Sequence, residues 1–212
     1  MGVSGPRVGV LGGTFDPPHL AHLVLAAAAR RALALDRVVL VPAGDPWRKA
    51  DRDVTPARTR LRLVEAAAES LPWAEVSAVE VERAGPTYTL ETFEELAAAE
   101  PDAAWWFLLG EDALADLPHW HEPEQLVEAV RFGLAQRPAS APAASSLEAV
   151  PGLAERVDLI PMPALDVSAS DLRARVARGE PTGPLLPTAV RAVIDELGLY
   201  RPAPSPSGRG WG

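Results

Sequence analysis

Two histidines, His19 and His22, stand three positions apart just after the turn Gly12-Gly13-Thr14-Phe15-Asp16-Pro17-Pro18. On a helix beginning near His19 they share one face, with side chains leaning back toward the helix start. Glycines let backbone approach a ligand closely, and the free N–H groups of a helix start favour an anion. The chemistry open to this stretch is phosphate binding with two imidazoles at hand. Taken alone, His-x-x-His fits a surface or metal-binding pair equally well, and Gly-Gly fits a plain tight turn. The stretch is not a Walker A loop, because no Gly-Lys-Ser/Thr follows. It also lacks the Gly-x-Gly-x-x-Gly spacing of dinucleotide-binding turns.

Other polar clusters could serve the same ligand. Lys49, in Gly44-Asp45-Pro46-Trp47-Arg48-Lys49, is either a solvated surface cation or a phosphate partner. Ser168-Ala169-Ser170-Asp171-Leu172-Arg173 reads as a helix start in which Ser168 and Asp171 fit a capping box. Ser170 and Arg173 share a face there, making a second anion pocket of hydroxyls, N–H groups and a guanidinium. Thr87-Tyr88-Thr89 also opens a helix, with either threonine suited to cap it, and a planar carboxylate could dock at that start. Asp112, after Gly110, is either a helix-start acid or a carboxylate able to take both hydroxyls of a ribose. Trp120 either packs in the core or offers a face to a planar ring. His119 and His121, beside it, read as surface residues.

The elements that must position these residues are legible as alternating apolar runs and helical patterns. Strands are expected at Val8–Leu11, Val38–Pro42, Glu75–Val81, Trp105–Leu109, Phe132–Gln136 and Val157–Ile160. Helices are expected near His19–Leu35, Ala57–Ser70, Thr89–Ala99, Pro123–Glu128, Ser168–Arg178 and Pro187–Leu197. This predicts an α/β fold: a doubly wound parallel sheet with helices on both faces and a small helical part at the C-terminus. Ligands in such sheets sit beyond the carboxyl ends of the strands, where strand order reverses. That rule gathers Gly12–His22, Gly44–Lys49, Gly110–Asp112 and Arg137 into one crevice. Residues 1–200 are expected to form a single domain. Pro138–Glu148 reads as a rim loop, and the Pro/Ser/Gly-rich residues 201–212 as a disordered tail.

The chain has 212 residues, no cysteine and a formal net charge of −9. That length suits one domain with a sizeable core. The acidic balance argues against non-specific nucleic-acid binding, which basic surface drives. No apolar run approaches membrane-spanning length, and no signal peptide is evident. A cysteine-free chain fits a reducing, cytoplasmic setting. Oligomeric state, a homo-oligomer included, is left open.

The full string Gly13-Thr14-Phe15-Asp16-Pro17-Pro18-His19-Leu20-Ala21-His22 resembles the phosphate-binding signature Gly-x-Phe-Asp-Pro-x-His-x-x-His of the nucleotidyltransferase superfamily, with Ala21 where many members have glycine. The order and spacing of the later segments resemble the bacterial nicotinate-nucleotide adenylyltransferases, from about Arg7 to Tyr200. The resemblance implies transfer of the adenylyl group of ATP to nicotinate mononucleotide, giving nicotinate adenine dinucleotide and pyrophosphate. It implies that His19, His22, Lys49 and Arg173 act on the triphosphate, with Gly12, Gly13, Thr14, Phe15, Gly110, Asp112, Arg137, Ser168 and Ser170 holding ATP. Asp112 would take a ribose and Arg137 would lie near adenine. Ser170 replaces the usual threonine of the family's Ser-x-Thr-x-x-Arg motif and keeps its hydroxyl. Thr87, Tyr88, Thr89 and Trp120 would bind the nicotinate end. Mg²⁺ would be held mainly by substrate phosphates, with no dedicated protein site. Sequence alone separates the nicotinate acceptor poorly from the nicotinamide one. A nucleotide-binding regulatory module is a further alternative, although such a module would need affinity and not every transition-state contact.

Overall fold

The computed structural model describes residues 5–44, 54–136 and 144–201. Chain order runs β1 (Arg7–Gly13), α1 (Leu20–Ala32), β2 (Arg37–Pro42), α2 (Ala57–Ala68), β3 (Ala74–Val76), α3 (Val79–Glu82), α4 (Thr89–Ala99), β4 (Ala104–Leu109) and α5 (Glu111–Asp116). It continues with α6 (Pro123–Ala129), β5 (Arg131–Gln136), α7 (Ala144–Leu147), β6 (Val157–Pro161), α8 (Ala169–Ala177) and α9 (Thr188–Leu197).

The strands form one parallel sheet in the order β3-β2-β1-β4-β5-β6. Successive side chains on a strand point to opposite faces, and both faces here are covered, so the strands are apolar at nearly every position. Val8, Val10, Trp105, Phe107 and Phe132 pack one way, under Leu90 and Phe93 of α4 and Leu126 of α6. Leu11, Val38, Leu40, Trp106 and Leu108 pack the other way, under Leu25, Ala26 and Ala29 of α1. A third cluster joins Leu63 of α2 to Leu172 of α8 and Val190 and Ile194 of α9. It docks the C-terminal helices onto the rest of the domain. The chain passes from β3 at one edge to β4 beside β1, so strand order reverses between β1 and β4. Loops leaving those two strands diverge, and a crevice opens at their carboxyl ends.

The expected strand Glu75–Val81 is shorter than the valines suggested. β3 pairs with β2 only through Val38–Leu40, and the chain then turns into α3. An edge strand has one neighbour, and once that pairing ends, the valines go where packing takes them. Helix α1 ends at Ala32 rather than Leu35, because Leu33 and Leu35 turn into the core around Ala34, which has φ of +47°. The short α5 opens after Gly110, in line with the helix-start reading of Asp112, whereas the helical turn α7 within the predicted rim loop was not expected. The rest of that loop through Ala143, and the tail from Pro202, lie outside the described residues.

Candidate active site

The turn after β1 runs along one side of the crevice. Gly12, Gly13, Thr14 and His22 line a cavity of about 520 Å³ at the β1–β4 divide. His19, where the helix was expected to start, is instead the N-cap of α1, which begins at Leu20, and it is only 6% exposed. Its Nδ1 is buried without a hydrogen-bond partner, and burial lowers its pKa from 6.5 to about 4. Desolvation disfavours the imidazolium, so this ring is neutral at working pH. His22 Nδ1 accepts the His19 backbone N–H at 3.1 Å. With that lone pair in use, the neutral ring carries its hydrogen on Nε2. The two imidazoles stack with centroids 3.8 Å apart, and Phe15 meets His22 edge-on at 4.8 Å.

Buried charges hold this turn from behind. Arg60 of α2, 1% exposed, donates to the carbonyls of Thr14, Gly44 and Thr55, each at 2.8 Å. Burial lowers its pKa, an effect countered by the nearby Asp16 carboxylate. Asp16 accepts the Thr55 N–H at 3.2 Å and the Tyr200 hydroxyl at 2.6 Å. Arg173 of α8 donates to the Asp16 backbone carbonyl at 2.7 Å. That bond seats the α8 helix start against the imidazole turn, although the two lie far apart in sequence. Ser168 caps α8 by accepting the Asp171 N–H at 3.2 Å, and its hydroxyl lies 3.1 Å from that of Ser170. The expected capping box is half formed, because the Asp171 carboxylate turns instead to Arg175 at 2.8 Å.

The other end of the cavity is more apolar. Thr87, Tyr88 and Thr89 open α4 into it, opposite Trp120 and His121. Tyr88, the N-cap, makes no side-chain cap hydrogen bond. Its ring packs at 4.2 Å against His121. Trp120 lies 5.7 Å from Phe107 and donates from Nε1 to Asp116 Oδ2 at 3.2 Å. Glu80 of α3 forms part of the floor and accepts the Thr92 hydroxyl at 2.9 Å. Burial raises its pKa; hydrogen bonds from Thr92 and Thr87, the charge of Arg83 and the Gly44 N–H act the other way. Gly44 passes so close that a Cβ there would lie 2.0 Å from the Glu80 carbonyl oxygen. Only glycine fits that crossing.

Of the residues singled out from sequence, Gly12, Gly13, Thr14, His22, Thr87, Tyr88, Thr89, Gly110 and Trp120 line the one cavity. His19 and Phe15 are buried beside it. Ser168, Ser170 and Arg173 are not in the lining; Arg173 reaches the turn after β1 through the Asp16 carbonyl. Asp112 is exposed on α5 and does not line the cavity. The α5 acid that does is Asp116, one helical turn on, and nothing in the sequence favoured it. Lys49 and Arg137 lie outside the described residues. His121, read as a surface residue, faces the cavity because α4 brings Tyr88 against it. Arg60 and Glu80 were missed as well; a lone charged residue in a helical pattern carries no signal of burial.

Residues 10–175 match the cytidylyltransferase-like family. The chain belongs to that family. Within it, the chain is 41% identical over 92% of both sequences to the "probable nicotinate-nucleotide adenylyltransferase" of Thermomicrobium roseum. It is 44% identical to the protein so named from Bordetella petrii, over 92% of this chain and 99% of that one. Among solved structures, the Plasmodium falciparum nicotinic acid mononucleotide adenylyltransferase complexed with NaAD superposes with a TM-score of 0.73. That pair shares 20% identity over 92% of this chain and 97% of the other, so the likeness speaks for the fold. Nucleotidyltransferases typically work with a divalent metal. Among the described residues of this cytidylyltransferase-like chain, no group of three or more His, Cys, Asp or Glu could hold one. Nor is any described helix long and apolar enough to cross a membrane.

Proposed function

We propose that this protein transfers the adenylyl group of ATP to nicotinate mononucleotide, a step of NAD biosynthesis carried out in the cytoplasm on small-molecule substrates. The observation that carries this reading is the Arg173–Asp16 hydrogen bond. It puts the capped serine helix and the imidazole pair on one rim, at the switch point of a parallel sheet.

A 5′-phosphate oxygen of the mononucleotide attacks the α-phosphorus of ATP in line. The bond from that phosphorus to the bridging oxygen breaks, and pyrophosphate leaves. The nucleophile is already an anion, so no protein base and no covalent intermediate is required. The protein contributes positioning and neutralisation of charge. His22 offers Nε2–H to the triphosphate from one side, and Arg173 with the Ser168 and Ser170 hydroxyls takes it from the other. A divalent metal such as Mg²⁺, for which no protein ligands are assigned, would supply further positive charge to the triphosphate when bound with substrate. Lys49 is assigned a phosphate contact and Arg137 a place near adenine on the family resemblance alone. The aromatic end takes the mononucleotide: Trp120 stacks on the pyridine ring, and the open start of α4 at Thr87–Thr89 receives its carboxylate.

The deciding assay measures pyrophosphate release from ATP and Mg²⁺ with nicotinate mononucleotide, nicotinamide mononucleotide or phosphopantetheine as acceptor. Fastest turnover with the nicotinate form is expected. Faster release with nicotinamide mononucleotide would move the assignment to that acceptor, and ATP binding without release would make the protein a regulatory module.

A further inference from the structure

We propose that Tyr200 is a positioning residue for the triphosphate site, keeping the Asp16 carboxylate occupied so that Arg173 remains available to phosphate. The proposal rests on the reading of the site given above. Tyr200 lies 184 residues after Asp16 and donates its hydroxyl to Oδ1 at 2.6 Å. The other oxygen, Oδ2, accepts the Thr55 N–H at 3.2 Å. Asp16 is 5% exposed, so little water competes for either oxygen. Its backbone carbonyl, not its carboxylate, receives Arg173 at 2.7 Å.

That division of partners has an electrostatic consequence. A guanidinium anchored by a neutral carbonyl keeps its charge for an incoming anion. One paired with a carboxylate has that charge largely cancelled and gives up two donors to the fork. Among the described residues, the cations near Asp16 are Arg60 and Arg173, and Arg60 is already committed to three carbonyls. If Oδ1 lost its hydroxyl donor in this buried place, Arg173 would be the cation able to turn to it. The phenol is well suited to prevent this. It is a strong donor with no charge of its own, and burial beside Asp16 pushes its pKa up, so it stays protonated.

The position is also built to stay in place. Tyr200 has φ of +62°, a backbone conformation that a non-glycine residue rarely adopts and that must be held by its surroundings. Those surroundings are the cluster of α2, α8 and α9, against which its ring packs. The C-terminal helices therefore do more than cover apolar surface: they deliver one hydroxyl to the turn that carries His19 and His22.

The test is ATP affinity by calorimetry, together with pyrophosphate release, for Tyr200→Phe in two backgrounds. In the wild-type background, ATP affinity and kcat are expected to fall by about tenfold or more, with KM for the mononucleotide within about twofold. In an Asp16→Asn background, where no carboxylate can capture Arg173, the same change should alter ATP affinity by less than about twofold. Equal losses in both backgrounds, or unchanged ATP affinity in the first, would overturn the proposal. Calorimetry needs no turnover, so it decides the role of Tyr200 even if no acceptor yields pyrophosphate. Should the single variant not fold, comparing Asp16→Asn with the double variant still measures whether the hydroxyl matters without the charge: a loss of about tenfold there overturns the proposal, and no loss supports it.

Discussion

His19 is the residue whose environment makes the sharpest quantitative claim. It is 6% exposed, with a buried Nδ1 that has no partner and a pKa lowered by burial from 6.5 to about 4. The folded form therefore resists protonation while the unfolded chain takes the proton at its ordinary value. Stability from this residue is complete above pH 6.5 and is lost as pH falls toward 4. The full interval corresponds to roughly 3 kcal/mol. Between about pH 7.5 and about pH 5 the loss is about 2 kcal/mol, because the unfolded state is then mostly protonated at this position and the folded state is not. Other groups titrate in the same window, so the measurement compares wild type with His19→Asn, which keeps a residue suited to the N-cap and removes the titration. Denaturant unfolding of both proteins at the two pH values gives four stabilities. The wild type is expected to lose about 2 kcal/mol more than the variant on acidification. Parallel losses would show that the imidazole is protonated as readily folded as unfolded. The neutral, stacked state given to His19 would then be wrong.

Three further expectations follow from the same geometry. His22→Ala removes a directed Nε2–H donor from the triphosphate side and should lower kcat by about 10²–10⁴-fold, measured as pyrophosphate release; near-normal turnover would take His22 out of the mechanism. Trp120→Ala should raise KM for the mononucleotide well above any change in KM for ATP, whereas equal effects would count against ring stacking. Arg60→Met strands the carbonyls of Thr14, Gly44 and Thr55 in a dry setting and leaves Asp16 without its nearest buried cation. A destabilisation of about 3–5 kcal/mol is expected in urea unfolding, and a loss below about 1 kcal/mol would mean that water satisfies those groups.

The functional contrast within the cavity follows from which groups line each end. At the imidazole end, His19 and His22 stack on the turn while Arg60 holds it from within and Arg173 reaches it through the Asp16 carbonyl. At the aromatic end, Glu80 is half-buried, and its raised pKa records the cost of that desolvation. A carboxyl with a raised pKa favours the folded state most at low pH, and this contribution is lost as pH rises through its folded value. That cost is tolerated where Glu80 ties the Gly44 crossing to the start of α4, through Thr87 and Thr92.

Sequence by itself determined the parallel sheet, most of the longer helices and the glycine turn after β1. These depend on local patterns: strands apolar on both faces, a serine with its N–H partner three residues on, and glycines between a strand and a helix. It did not determine how far β3 runs, because an edge strand lasts only as long as its single neighbour pairs with it. It singled out Asp112 and not Asp116, which lies one turn further along the same face of the short α5 and borders the cavity. It read His121 rightly as an exposed residue but not that it borders the cavity, and it passed over Arg60 and Glu80, whose surroundings depend on what packs against them. The contacts of Asp16 with Arg173 and Tyr200, across 157 and 184 residues, belonged to tertiary structure alone. A buried polar atom must find a partner, but which partner reaches it depends on how α8 and α9 dock, and no local pattern encodes that.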